Sequence, residues 1–253
     1  MEQPFRGMGV ALVTPFRNGK VDFEALERVI GHVISGEAAF LVSLGTTGEA
    51  TTLNPEEARQ VIRHTVECNR GRLPLVAGLF GGSNTHRIQQ LLQSFDLSGV
   101  DAVMSASPAY NKPNQEGIYQ HYMALAKASP LPIIIYNVPG RTASNVEAAT
   151  TVRLAQASPK FIAVKEASGD MVQAMTIMRD KPEHFLVLSG DDPTALPLIA
   201  CGGDGLISVI GNAFPREYGR MVHAALQGRQ SEARQWNDLF IDFHPWLYID
   251  GNP

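Results

Sequence analysis

Short apolar runs recur along the chain: MGVALVTPF from Met8, FLVSLGTTG from Phe40, LPLVAGLF from Leu73, VDAVMSASP from Val100, LPIIIYNVP from Leu131, FIAVKEASG from Phe161, FLVLSGDD from Phe185 and GLISVIGN from Gly205. Each is apolar at successive positions with little alternation. That pattern suits parallel strands covered on both faces, not antiparallel strands with one wet face. Helices are predicted between them from their start signals: Asp22 before FEALERVIGHVI, Asn54-Pro55 before EEARQVIRHTV, and Asp192-Pro193 before TALPLIA. In the last two, proline follows an N-cap residue at the first helical position. Phe23, Leu26, Val29, Ile30, Val33 and Ile34 form one stripe, the face that the first helix lays on a sheet.

The strand starts are spaced about 20 to 34 residues apart, and no linker or low-complexity break interrupts them from Met8 to about Gln230. Eight βα units predict a (β/α)8 TIM barrel, with residues 1–230 as the catalytic barrel and 231–253 as the start of a C-terminal helical region. A doubly wound open sheet is the competitor, but its GxGxxG loop is absent: GMGVAL carries Leu12 where the third glycine belongs. Barrel active sites lie at the C-terminal strand ends. The polar stretches GTTGE (45–49), SPAYNKP (107–113), YNVPGRT (136–142) and SGDD (189–192) all fall there.

Composition narrows the classes. The 253 residues are 44% apolar, enough for a core, with a net charge of −4 and no basic cluster, which argues against nucleic acid. Cys68 and Cys201 form no CxxC pair and fall in helical segments, so buried free thiols and a reducing compartment are expected. The N-terminal apolar stretch is too short for a signal peptide and no run approaches a membrane span, so the expected location is the cytoplasm. The seven histidines lack HExxH or paired-ligand spacing and are expected mostly as solvated helix residues; no metal is implied. Neither a GxSxG elbow nor a P-loop is present.

Lys165 is the anomaly, because it interrupts the buried-strand pattern of Phe161 to Val164. Either the strand ends at Val164 and Lys165 meets solvent, or Lys165 points into the barrel mouth or outward under the helices. Burial lowers a lysine's pKa, and a fall from about 10.4 to roughly 7 leaves about half of such amines neutral and nucleophilic toward carbonyls. Tyr136, after LPIII, could shuttle protons to it. Thr46 and Thr47 offer hydroxyls for a relay or a carboxylate, between Gly45 and Gly48, although turn chemistry also accounts for them. Arg141 could clamp a carboxylate with two parallel hydrogen bonds, or be an ordinary surface arginine. Glu49, Asp191 and Asp192 lie on mouth loops where helix capping is available to each.

GTTGEATTLNPEE, SPAYNKPNQEGIYQHY, YNVPGRTASN, AVKEASGD and GGDGLISVIGN, in this order, resemble the dihydrodipicolinate (4-hydroxy-tetrahydrodipicolinate) synthase family of pyruvate-dependent class I aldolases. The resemblance implies that Lys165 forms an imine with pyruvate, with Tyr136, Thr46 and Tyr110 as proton relay and Tyr110 entering from a neighbouring subunit. It implies that Thr47 holds the pyruvate carboxylate, that Arg141 binds L-aspartate 4-semialdehyde, and that backbone carbonyls near Gly190 and Ile207 line the lysine's pocket. No cofactor is implied, and the expected assembly is a homotetramer, a dimer of dimers. Related N-acetylneuraminate lyases and 2-keto-3-deoxy sugar acid aldolases share the lysine and tyrosine, but YNVPGRT with its arginine matches the synthase pattern. A noncatalytic keto-acid-binding barrel is the third alternative. Pro55, Ala58, Gly82 and Ala109 stand where lysine-inhibited members carry histidines and other polar residues, so weak or absent lysine feedback is expected. The family continues past Asn252-Pro253 with further helices, so the C-terminal extension is expected to be truncated here.

Overall fold

All eight apolar runs form strands in the computed structural model, which describes residues 4–252. Residues 1–3 and Pro253, included in the expected domain limits, lie outside the described residues. The strands are β1 (Gly7–Ala11), then β2 (Phe16–Arg17) and β3 (Lys20–Val21) as a small hairpin, β4 (Phe40–Ser43), β5 (Leu75–Ala77), β6 (Ala102–Ala106), β7 (Ile133–Asn137), β8 (Phe161–Glu166), β9 (Leu186–Ser189) and β10 (Gly205–Ser208). Apart from the hairpin they close into one parallel barrel in the order β1-β10-β9-β8-β7-β6-β5-β4, with β1 pairing β4 to shut it. The helices that follow the strands are α1 (Phe23–Ser35), α2 (Pro55–Asn69), α3 (Thr85–Ser94), α4 (Gln115–Ala128), the single-turn α5 (Pro139–Thr142), α6 (Ala148–Ala157), α7 (Met171–Asp180), α8 (Ala195–Ala200) and α9 (Pro215–Leu226). A further helix, α10 (Gln230–Phe240), packs on α9, and a 3₁₀ turn at His244–Tyr248 follows it.

Strand alternation divides the buried side chains into two cores. Phe40, Val42, Val76, Met104, Ile134, Tyr136, Ala163, Leu188 and Ile207 pack inside the closed sheet. Their neighbours Leu41, Ile133, Ile135, Val164 and Val187 face the helices. Phe5 and Phe40 meet edge to face at 5.4 Å in the inner core. Gly9 is required beside them, since a Cβ there would enter the Phe40 ring.

Asp22 caps α1 by accepting from the Ala25 N–H, and Asn54 opens α2 with a full capping box closed by Glu57. Asp192 does not cap a helix. Its carboxylate is buried and accepts from Ser208 Oγ (2.5 Å), Val209 N (2.9 Å) and Ile210 N (3.3 Å), tying the loop after β9 to the end of β10. Three long-range donors satisfy it better than one local N–H, so the tertiary contact overrides the Asp-Pro signal. Asp191 and Glu49 make no side-chain cap either: Asp191 precedes the 3₁₀ turn without one, and the cap of α2 is Asn54 rather than Glu49.

Two expectations about burial are also corrected. Both cysteines are free, but Cys201 is exposed beyond the last turn of the six-residue α8, and Cys68 is only half-buried. Most histidines do lie on helices, but His121 and His244 are buried rather than solvated. His121 packs edge to face on Tyr122, with Nδ1 2.8 Å from Thr85 Oγ1 and Nε2 without a partner. Burial pushes the His121 pKa down to about 4. As pH falls from about 7 to about 4, an unfolded chain with its histidine near 6.5 takes up this proton before the folded one, so stability is lost across that window. We expect His121→Gln to remove up to about 3 kcal/mol of this acid-side loss, measured as the difference in urea unfolding free energy between pH 7 and pH 4 for the two proteins.

Candidate active site

β8 determines where Lys165 points. Ala163 belongs to the inner core, and a period of two directs Lys165 inward as well, one layer nearer the barrel mouth. Lys165 is 4% exposed, so the strand does not end at Val164, and its side chain lies neither in bulk solvent nor under the helices. Register supplies its neighbour: Tyr136 on β7 pairs with Lys165, and the Lys165 Nζ sits 4.3 Å from the centre of the Tyr136 ring. The next pair, Asn137 with Glu166, points outward by the same alternation.

Lys165 opens into a cavity of about 490 Å³ at the C-terminal ends of the strands. Thr46, Thr47, Tyr136, Arg141 and Gly190 of the expected site residues share its wall. Thr46 Oγ1 stands 3.5 Å from the Tyr136 hydroxyl, at the outer limit of a hydrogen bond, and Thr47 is buried beside it. The loop that carries them starts at Leu44, held at φ +57°, a left-handed conformation costly for a branched side chain and the kind of local strain that collects at functional loops. Gly190 backs the lysine: a Cβ there would lie 3.0 Å from Lys165 Cγ and 2.6 Å from Ala167 Cβ. Arg141, on the exposed α5 turn, donates from Nη2 to the Gly251 carbonyl at 3.3 Å.

Two expected residues are not brought to the cavity. Ile207 is fully buried in the inner core, and Val209 forms the wall at that strand end. Tyr110 is 90% exposed on the loop after β6, with φ +72° and its N–H donated to the Thr142 carbonyl. Other wall residues had no individual sequence signal: Tyr248 and Asn252 fold back from the C-terminal stretch, with Asn252 Nδ2 3.3 Å from the Thr46 carbonyl. Asp191 also lines the cavity, where burial and then Asp192 push its carboxyl above the usual range while His244 and Lys165 pull it down. Tyr248 is likewise pushed up, chiefly by burial.

A second cavity of about 360 Å³ lies on the other side of Thr46, Tyr136, Val138 and Arg141, which border both. Gly82 and Ala109 line it. Potential metal-ligand atoms come within 4.8 Å of one another at Glu27, His64 and Cys68, between α1 and α2 and away from both cavities. Among the described residues, no helix is long and apolar enough to cross a membrane.

A buried lysine beside a tyrosine, with hydroxyls and an arginine around the same cavity, is a constellation for imine chemistry on a small keto acid. Comparison with known proteins gives the family. The model of the dihydrodipicolinate synthetase family matches residues 4–253. A 4-hydroxy-tetrahydrodipicolinate synthase of Flavobacterium psychrophilum is 49% identical over 252 residues, which cover 99% of this chain and 86% of the relative. The crystal structure of dihydrodipicolinate synthase from Aquifex aeolicus superposes with a TM-score of 0.94 at 38% identity, covering 98% of this chain and 85% of that one. A structure described as a monomeric dihydrodipicolinate synthase variant superposes at 0.95 with 34% identity, covering 99% and 84%. The chain belongs to the dihydrodipicolinate synthetase family.

Proposed function

We propose that the chain is a 4-hydroxy-tetrahydrodipicolinate synthase, a lyase of the diaminopimelate and lysine pathway that joins pyruvate to L-aspartate 4-semialdehyde through a Schiff base on Lys165. The burial of Lys165 at the barrel mouth beside Tyr136 carries this reading. The Lys165 amine adds to C2 of pyruvate, the carbinolamine loses water to give the imine, and loss of a C3 proton gives the enamine. C3 then bonds to the aldehyde carbon, whose oxygen takes up a proton. The semialdehyde's own amine adds to C2, the bond to Lys165 breaks, and the ring closes.

In this scheme Tyr136 and Thr46 pass protons along their 3.5 Å contact, and Tyr110 of a neighbouring subunit completes the relay. Thr47 holds the pyruvate carboxylate and Arg141 the carboxylate of the semialdehyde. Gly190 lines the lysine's pocket, and Val209 takes the place expected of Ile207. A strained, 90% exposed tyrosine at position 110 supports a shared site within a dimer, and we place that dimer in a cytoplasmic homotetramer. Lysine feedback is weak in this reading, because the cavity lined by Gly82 and Ala109 has no histidine or carboxylate on its wall among the described residues.

Borohydride reduction with pyruvate should add the reduced pyruvate mass to Lys165, Lys165→Ala should abolish the adduct, and the unreduced enzyme should consume L-aspartate 4-semialdehyde with pyruvate. An adduct without aldehyde consumption would make the chain a keto-acid binder or an aldolase for another aldehyde. Gly190→Ala should push on Lys165 and Ala167, costing about 1–3 kcal/mol of stability in urea unfolding and slowing adduct formation. Mixing Lys165→Ala with Tyr110→Phe subunits should restore up to about a quarter of the active sites, because each mixed dimer then holds one intact lysine-tyrosine pair. Mixtures no more active than the separate variants would refute the shared site.

A further inference from the structure

Among the described residues lining the active cavity, Asp191 is the one carboxylate. It lies between Gly190, which backs Lys165, and the buried Asp192. Its backbone is engaged: the carbonyl accepts from Ser189 Oγ at 2.7 Å and Thr194 Oγ1 at 3.2 Å, and the N–H donates to Ser189 Oγ at 3.3 Å. Its carboxylate accepts no hydrogen bond from any described residue, whereas that of Asp192 next to it accepts three. With no protein donor, this half-buried carboxylate is left to solvent in the cavity, and an acceptor open there is what a ligand donor can complete.

Two charged neighbours leave that demand standing. His244 is buried next to Asp191, but burial lowers its pKa, so at neutral pH it contributes little positive charge. Lys165 also faces Asp191, but its nitrogen carries no charge once it is part of the enamine. The aldehyde arrives at that stage. Arg141 lines the same cavity and supplies a guanidinium. A wall with one guanidinium and one open carboxylate is complementary to a ligand carrying both a carboxylate and an ammonium group.

We propose that Asp191 binds the α-ammonium of the amino-aldehyde substrate and thereby selects a 2-amino aldehyde acid over aldehydes with a carboxylate alone. This rests on the synthase reading above. It also assigns a position to the amine that later attacks C2: held as ammonium by Asp191 until the carbon-carbon bond has formed, it closes the ring after passing one proton to the Asp191 carboxylate.

The test compares L-aspartate 4-semialdehyde with succinic semialdehyde, which has the same chain without the amine, in the wild type, Asp191→Asn and Asp191→Ser. The two variants should raise KM for aspartate semialdehyde about tenfold or more. Inhibition by succinic semialdehyde, which Asp191 repels, should stay equal or tighten, and pyruvate KM and borohydride trapping should stay within about twofold. Trapping also reports that the variants are folded, and the serine variant covers a failure of the asparagine one. An unchanged KM for aspartate semialdehyde, or a parallel weakening of both aldehydes, overturns the assignment. So does a loss of trapping in folded protein, which would place Asp191 in support of Lys165. A wild type that does not consume aspartate semialdehyde with pyruvate overturns the synthase reading itself.

Discussion

Closure of eight parallel strands is the constraint on which the site depends. In a closed sheet each inward side chain must either fill the interior or emerge at a rim, because the barrel is packed and not a pore. Phe40, Met104, Ile134 and Ala163 occupy the filled layers. Lys165 is the next inward position on β8 after Ala163, so its ammonium or amine can reach only the mouth. The parallel register then leaves no freedom in choosing its neighbour, since Tyr136 is its partner on β7. The pair proposed to react is thus set by two strands and one register.

The outward side of the same strand end secures it. Glu166 is buried and accepts from Asn137 Nδ2 at 3.0 and 3.1 Å, Gln173 Nε2 at 3.0 Å and Ser168 N at 2.8 Å. Asn137 and Gln173 also contact Asn145, and Asn137 Oδ1 accepts from Val146 N. A buried carboxylate satisfied by neutral donors needs no cation of its own, so this network fixes β7, β8 and α7 without competing for the charge of Lys165.

The strands were legible because parallel burial on both faces leaves unbroken apolar runs, and the barrel followed from their number and spacing. Asp22 and Asn54 were legible because capping is local. Asp192 carried the same local signal and was misread, since its partners at 208 to 210 are near only in the folded barrel. The hairpin was missed although Asn18 (φ +52°) and Gly19 (φ +73°) form the turn that Asn-Gly favours; two-residue strands leave too little alternation to detect. Lys165, Tyr136, the two threonines and Arg141 stood out as candidates because chemistry-bearing types at strand ends contrast with apolar runs, and the fold gathers them around one cavity. Tyr248 and Asn252 had no such frame, and Asn252 meets Thr46 across 206 residues of sequence.

The site therefore divides by rigidity. Lys165 and Tyr136 sit on strands, and in the proposed scheme they carry the steps common to any keto acid that forms an imine, where a displacement of about an ångström would cost heavily in rate. Arg141 on a single-turn helix, Asp191 before a 3₁₀ turn, and Tyr248 and Asn252 on the returning C-terminal stretch line the same cavity from outside the strands. Loops can change their side chains without disturbing the closed sheet. The same barrel can thus keep its imine chemistry while the groups that meet the aldehyde vary, and the choice of second substrate must be sought in those loop residues rather than in the lysine.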